Sequence, residues 1–172
     1  MADQPSAVNR HYYALKEAVA TLRGVALFDH LNTVPDTGSV VGLMWKKREI
    51  ENYVCTESTL LAYSLSSGTN KSPGPLFTAA EADKRVHAMK TSITEIETAM
   101  ERLDRGSPWD SGTKVSDDFL TPLFKAYFDK LDLPNLMAKK NFYELAEYVP
   151  EDEFDYEIRE KLDSIAEVFD TI

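Results

Sequence analysis

Five apolar residues near the start of the chain, Val8, Tyr12, Leu15, Val19 and Leu22, are spaced by four, three, four and three. That spacing places them on one stripe of an amphipathic helix. Gly24 closes the pattern, and Val25-Ala26-Leu27-Phe28 follows as a short, continuously apolar run. Such a run predicts a strand covered on both faces in a mostly parallel sheet. Turn chemistry in Pro35-Asp36-Thr37-Gly38-Ser39 precedes a second apolar run over 40–45, which predicts a second strand.

Beyond Trp45 the period changes. Residues 49–54 lead into Leu60-Leu61-Ala62-Tyr63 as a helical entry, and the Ser, Gly and Pro of 66–75 predict a loop. A helix over 78–103 carries Val86, Met89, Ile93, Ile96, Met100 and Leu103 as its buried stripe, and Gly106-Ser107-Pro108 stops it. Ser116 reads as an N-cap with Asp117 and Asp118 in the first turn. The helix that follows offers Phe119, Leu120, Leu123, Phe124, Tyr127, Phe128 and Leu131 to the core, and Pro122 is tolerated near its start. After Pro134 comes a short helix over 139–146, and Ile158, Leu162, Ile165 and Phe169 mark a last helix with acids on its opposite face. The fold class is therefore an α/β N-terminal portion, residues 1–55, followed by a mainly α-helical C-terminal portion, 56–172, packed on it and making the chain mostly helical overall.

Composition agrees with one soluble globular domain, or one core with a packed extension: 172 residues, 43% apolar and 28% charged. No apolar stretch approaches the ~20 residues of a membrane-spanning helix. The polar N-terminus has no basic segment followed by an apolar one, so no secretory signal is expected. Cys55, the one cysteine, cannot make an internal disulfide and suits a reducing cytoplasm; it reads as a small, half-buried residue. The net charge of −10 is uneven, because residues 141–172 hold eleven acids and two bases, a net −9. A nucleic-acid surface spread over the whole protein is thereby disfavoured, while the local groups Lys46-Lys47-Arg48 and Lys139-Lys140 stay available to phosphates.

Three groups carry candidate chemistry. Asp29 follows the first apolar run, and the carboxyl end of a strand in an open α/β sheet is where ligands and metals are held; an Asp there also suits any strand-ending loop. Glu49 and Glu51 follow the basic triplet, and hard divalent cations are bound by one or two carboxylates together with water and phosphate. Two residues apart, they share a face in extended chain and diverge on a helix. Lys139 and Lys140 open a helix, where a cation opposes the helix dipole unless an anion offsets it. Among His and Cys no spacing suits zinc, and neither a Gly-rich phosphate loop nor a nucleophile elbow is present.

The string Lys47-Arg48-Glu49-Ile50-Glu51-Asn52-Tyr53, preceded by Gly24-Val25-Ala26-Leu27-Phe28-Asp29-His30-Leu31-Asn32, resembles the second half of a TOPRIM domain. The resemblance is to those of the AAA/ABC-type ATPases of the overcoming-lysogenisation-defect (OLD) nuclease class, where an apolar strand ends in Asp-x-Asp-Asn and Arg-Glu-Ile-Glu-Asn-Tyr follows within a few dozen residues. The tail from Lys139-Lys140-Asn141-Phe142-Tyr143-Glu144-Leu145-Ala146 to Val168 is similar to the helical end of those ATPases. The resemblance implies Asp29 as the first metal-ligating aspartate, Glu51 as the later acidic ligand with Glu49 beside it, and Lys139 or Lys140 near the scissile phosphate. It implies Mg²⁺ or Mn²⁺ as the cofactor of phosphodiester hydrolysis in DNA defence or repair, with no ATP site in this chain.

Leu31 departs from the pattern where the second aspartate belongs, and the family's early glutamate-bearing strand and ATPase would lie upstream of Met1. The expectation is a TOPRIM-like fragment, incomplete and inactive alone, whose partners are DNA within a complete nuclease, an upstream ATPase or other protein chain, or a second copy. The alternative is a non-catalytic interaction module that binds a basic partner through the acidic C-terminal helix; a DNA mimic comes third.

Overall fold

The computed structural model describes residues 5–69 and 75–170. They form two compact units: Met1–Arg48 with Asp155–Ile172, and Glu49–Phe154. The sequence placed one boundary near residue 55, whereas the units divide at 48/49 and again at 154/155. An N-terminal α/β portion is followed by helices, and the chain is mostly helical. Among the described residues no helix is long and apolar enough to cross a membrane.

The first unit contains α1 (Pro5–Lys16), β1 (Val25–Phe28), β2 (Val41–Met44) and α5 (Tyr156–Asp170). The strands pair in parallel, with Val25 opposite Val41 and Phe28 opposite Met44. The pairing continues past both ends, since Val41 N–H donates to Gly24 O and Trp45 N–H to Phe28 O, each at 3.0 Å. Twelve residues connect the strands, about the minimum a parallel crossover requires, and they pack tightly on β2. A Cβ at Gly42 would fall 3.0 Å from Thr37 Oγ1 and 3.2 Å from Val34 Cγ1. Thr37 in turn donates to Val40 O at 2.6 Å.

Several apolar patterns end differently here from their sequence reading. The first helix stops at Lys16 rather than running to Leu22, because the chain turns back until Leu22 O accepts the Tyr12 hydroxyl at 3.0 Å. Leu15 and Val19 are exposed. The β1 run is not covered on both faces, for Leu27 is exposed, as is Val41 on β2. On α5, Leu162 and Phe169 also face outward, which leaves Ile158 and Ile165 as the half-buried part of the expected stripe.

The second unit holds the large apolar core. A 3₁₀ turn at Ile50–Tyr53 leads to α2 (Glu57–Thr69), then α3 (Pro75–Arg102), a π turn at Ser116–Leu120 continuing into α4 (Thr121–Lys130), and a 3₁₀ segment at Lys139–Tyr148. Of the loop expected over 66–75, residues 66–69 belong to α2, Pro75 opens α3, and 70–74 lie outside the described residues. The core helix is as expected: Phe119, Leu120, Leu123, Phe124, Tyr127, Phe128 and Leu131 are all buried. Tyr63 of α2 meets the rings around it edge to face, 5.5 Å from Phe124, 6.4 Å from Tyr127 and 5.4 Å from Tyr148. From α3 come Met89, Ile93 and Met100, whereas Leu103 lies past the helix end and is exposed. Ser116 is no N-cap; it sits inside the π turn, buried.

Because Phe124 is fully buried and touches rings on two other segments, Tyr63 of α2 and Phe142, besides Tyr127 and Phe128 of its own helix, Phe124→Ala is expected to destabilise this unit by about 3–5 kcal/mol. The shift in urea unfolding midpoint at unchanged slope measures it.

Candidate functional site

The five expected site residues are divided between the units. Asp29 belongs to the first, and Glu49, Glu51, Lys139 and Lys140 to the second. Asp29 lies one residue beyond β1, exposed, at the carboxyl end of a parallel pair. Its neighbour His30 has its backbone N–H on Arg48 O at 3.1 Å and its ring Nδ1 3.2 Å from Trp45 O. Leu31, at the place of the missing aspartate, directs its N–H to Met44 Sδ at 3.1 Å.

In the second unit Glu49 is buried, and local chemistry explains why a charged residue is tolerated there. Its carboxylate accepts the N–H of Ser116 at 2.5 Å, and its own N–H donates to Asn52 Oδ1 at 3.0 Å. Asn52 Nδ2 donates to Thr113 O at 3.0 Å and Asp110 O at 3.3 Å. The 49–52 turn is thus tied to the segment that enters α4. Glu51 is half-buried, and its carbonyl accepts the N–H groups of Val54 and Cys55. Cys55 is fully buried rather than half-buried, and burial, reinforced by the Glu49 charge, pushes its thiol well above the usual range.

Lys139 and Lys140 are exposed. Lys139 Nζ meets Asp117 Oδ1 at 2.6 Å, and Lys114 Nζ meets Asp117 Oδ2 at 2.5 Å. Hydrogen bonds from Lys114 and then Lys139 hold the Asp117 carboxyl below its ordinary value. Two of the expected residues are therefore brought to one place: Glu49 binds Ser116, and Lys139 binds the next residue, Asp117. The structural part of this site, Asn52 and Ser116, is not signalled by the charged residues of the sequence.

An open depression of about 520 Å³ lies at the end of α3, lined by Glu97, Glu101 and Asp104 among others, and none of the five expected residues borders it. Glu97 there accepts the Trp109 Nε1–H at 2.7 Å. Among the described residues no group of three or more His, Cys, Asp or Glu is arranged to hold a metal ion.

In the first unit acids of α5, and Asp155 just before it, meet the bases that follow β2. Glu157, buried, accepts Lys46 N–H at 2.9 Å; Glu160 pairs with Lys46 Nζ at 3.3 Å and Asp155 with Lys47 Nζ at 2.9 Å. Burial works to raise the Asp155 carboxyl, but the hydrogen bonds from Lys47 and from Glu157 N–H outweigh it and hold the group low. The sequence separates these partners by more than a hundred residues; their opposite charges were the available signal.

Asn52→Ala strands the buried Glu49 N–H and takes one of two donors from the Thr113 carbonyl, which keeps the Val115 N–H, so a loss of about 2 kcal/mol is expected in chemical unfolding. Cys55 gives a pH dependence with a definite sign. The folded state keeps the thiol protonated where the unfolded chain has released it, so stability is full below about pH 8.5 and falls as pH rises above it. Urea midpoints between neutral and alkaline pH check this, and Cys55→Ala is expected to flatten the first part of the decline. No family model matches the chain, and neither a curated protein nor a solved structure matches it.

Proposed function

We propose that the chain is a TOPRIM-like scaffold derived from OLD-class, ATP-dependent nucleases and catalytically incomplete alone. The observation that carries the reading is the parallel β1–β2 pair with Asp29 one residue past the carboxyl end of β1, followed in order by the Glu49–Tyr53 segment. A carboxylate at that edge is placed for a divalent cation, in the manner of ligand sites in open α/β sheets. Leu31 withholds the second carboxylate, and each anionic ligand lost leaves more of the cation's dehydration uncompensated. DNA hydrolysis then belongs to an assembly in which another chain, an ATPase among the candidates, supplies the remaining ligands, with Mg²⁺ or Mn²⁺ as the metal.

A second reading is a non-catalytic interaction module built on acidic α5. It is favoured by Leu162 and Phe169, 58% and 50% exposed. Two helical turns apart, they make an apolar ridge beside Asp163 and Asp170, the pattern of a helix that docks in a groove with a basic rim.

One experiment separates the two. In the nuclease-derived reading the chain alone releases no product from duplex DNA with Mg²⁺ or Mn²⁺, and Leu31→Asp tightens Mn²⁺ binding about tenfold, a gain that Asp29→Ala reverses. Manganese paramagnetic resonance reads the affinity. Cleavage by the unmodified chain that Asp29→Ala abolishes would overturn its incompleteness; an affinity indifferent to both substitutions would leave the interaction module standing.

A further inference from the structure

We propose that α5 is an electrostatic cover over a DNA-phosphate surface made by Lys46, Lys47 and Arg48. These three consecutive bases leave β2 at the carboxyl edge of the parallel pair. Lys46 offers two donors, its backbone N–H and its Nζ, and both are met by carboxylates of one helix: Glu157 at 2.9 Å and Glu160 at 3.3 Å. Lys47 is met by Asp155 at 2.9 Å. A backbone N–H beside lysine and arginine side chains is the donor set by which proteins grip nucleic-acid phosphates, and three acids here occupy the places phosphate oxygens would take. The cover is fastened at its far end, where Arg23 Nη1 donates to Val168 O at 2.8 Å.

The fastening over Lys46 is built to yield. The Lys46 and Glu160 side chains are 70% and 47% exposed, and ion pairs so open to water are weak and screened by salt. A polyanion that presents several phosphates in a row competes with them, drawing on the release of its own counterions. The inference rests on the nuclease-derived reading only in choosing DNA as the polyanion, and its readout is binding, so a failure to cleave does not touch it.

The test uses the full chain and a short fluorescein-labelled DNA duplex followed by anisotropy over a range of salt. Asp155→Asn with Glu160→Gln, which removes the carboxylate charge paired with each lysine, is expected to tighten binding about tenfold at low salt and to steepen the dependence of log affinity on log salt by about two. Adding Lys46→Ala and Lys47→Ala removes the gain. Asp129→Asn with Glu147→Gln, the same charge change at exposed acids away from α5, leaves affinity near that of the parent. Tightening equal in that control, a gain that survives loss of the lysines, or no gain at all each overturns the proposal, as does tightening on heparin without tightening on DNA. Should the double variant lose helical circular dichroism, Glu160→Gln alone replaces it, with a steepening of about one expected.

Discussion

The side chain of Asn52 uses its oxygen on the Glu49 N–H and its nitrogen on the carbonyls of Asp110 and Thr113, while the Glu49 carboxylate takes the Ser116 N–H. Everything that follows in the larger unit depends on this knot. The Glu49 and Ser116 N–H groups it satisfies are buried, and leaving such a group unpaired costs about 1–3 kcal/mol. By fixing where Ser116 sits, the knot fixes the start of the π turn and so the direction in which Phe119, Leu120, Leu123 and Phe124 enter the core. The aromatic packing supplies most of the burial. The polar tie decides its register.

The smaller unit rests on a different balance. Tyr12, Phe28, Val40 and Trp45 are its buried large apolar side chains among the described residues, and ten others from Tyr13 to Phe169 are exposed. A two-stranded sheet is at best marginal by itself. What holds α5 in this unit is therefore weighted toward charge: a buried carboxylate on a backbone N–H and two ion pairs beyond it. Contacts of that type are sensitive to ionic strength in a way the aromatic core is not.

The division between legible and illegible features follows from range. The period of α3 and the dense apolar run from Phe119 to Leu131 are local properties, and burial followed them closely, because a stripe of seven large side chains has one way to leave water. The strand pair was equally legible, since β-branched and apolar residues bounded by Gly and Pro leave few other conformations. Helix ends were not. Val19 and Leu22 keep the right spacing, yet the hydrogen bond from Tyr12 to Leu22 O, a contact across ten residues, turns the chain away from the helix. Leu162 and Phe169 keep the period too, but periodicity reports a face and not what lies against it. For the candidate site, sequence picked out Glu49 and Lys139, and neither spacing nor charge foretold that their partners would be the adjacent residues Ser116 and Asp117.

The segment from Lys47 to Tyr53 sharpens what a resemblance of strings can mean. Glu49, Asn52 and Tyr53 are buried, and the first two spend their polar atoms on the knot. Folding alone accounts for those three positions. Arg48 and Ile50 are exposed and Lys47 and Glu51 half-buried, so the outward part of the string is Lys47, Arg48, Ile50 and Glu51. A scaffold can therefore retain Glu49, Asn52 and Tyr53 for the stability of its larger unit whether or not it retains any chemistry. It follows that the string by itself argues for a shared local fold, and that the proposed nuclease ancestry leans instead on the placement of Asp29 at the carboxyl end of β1.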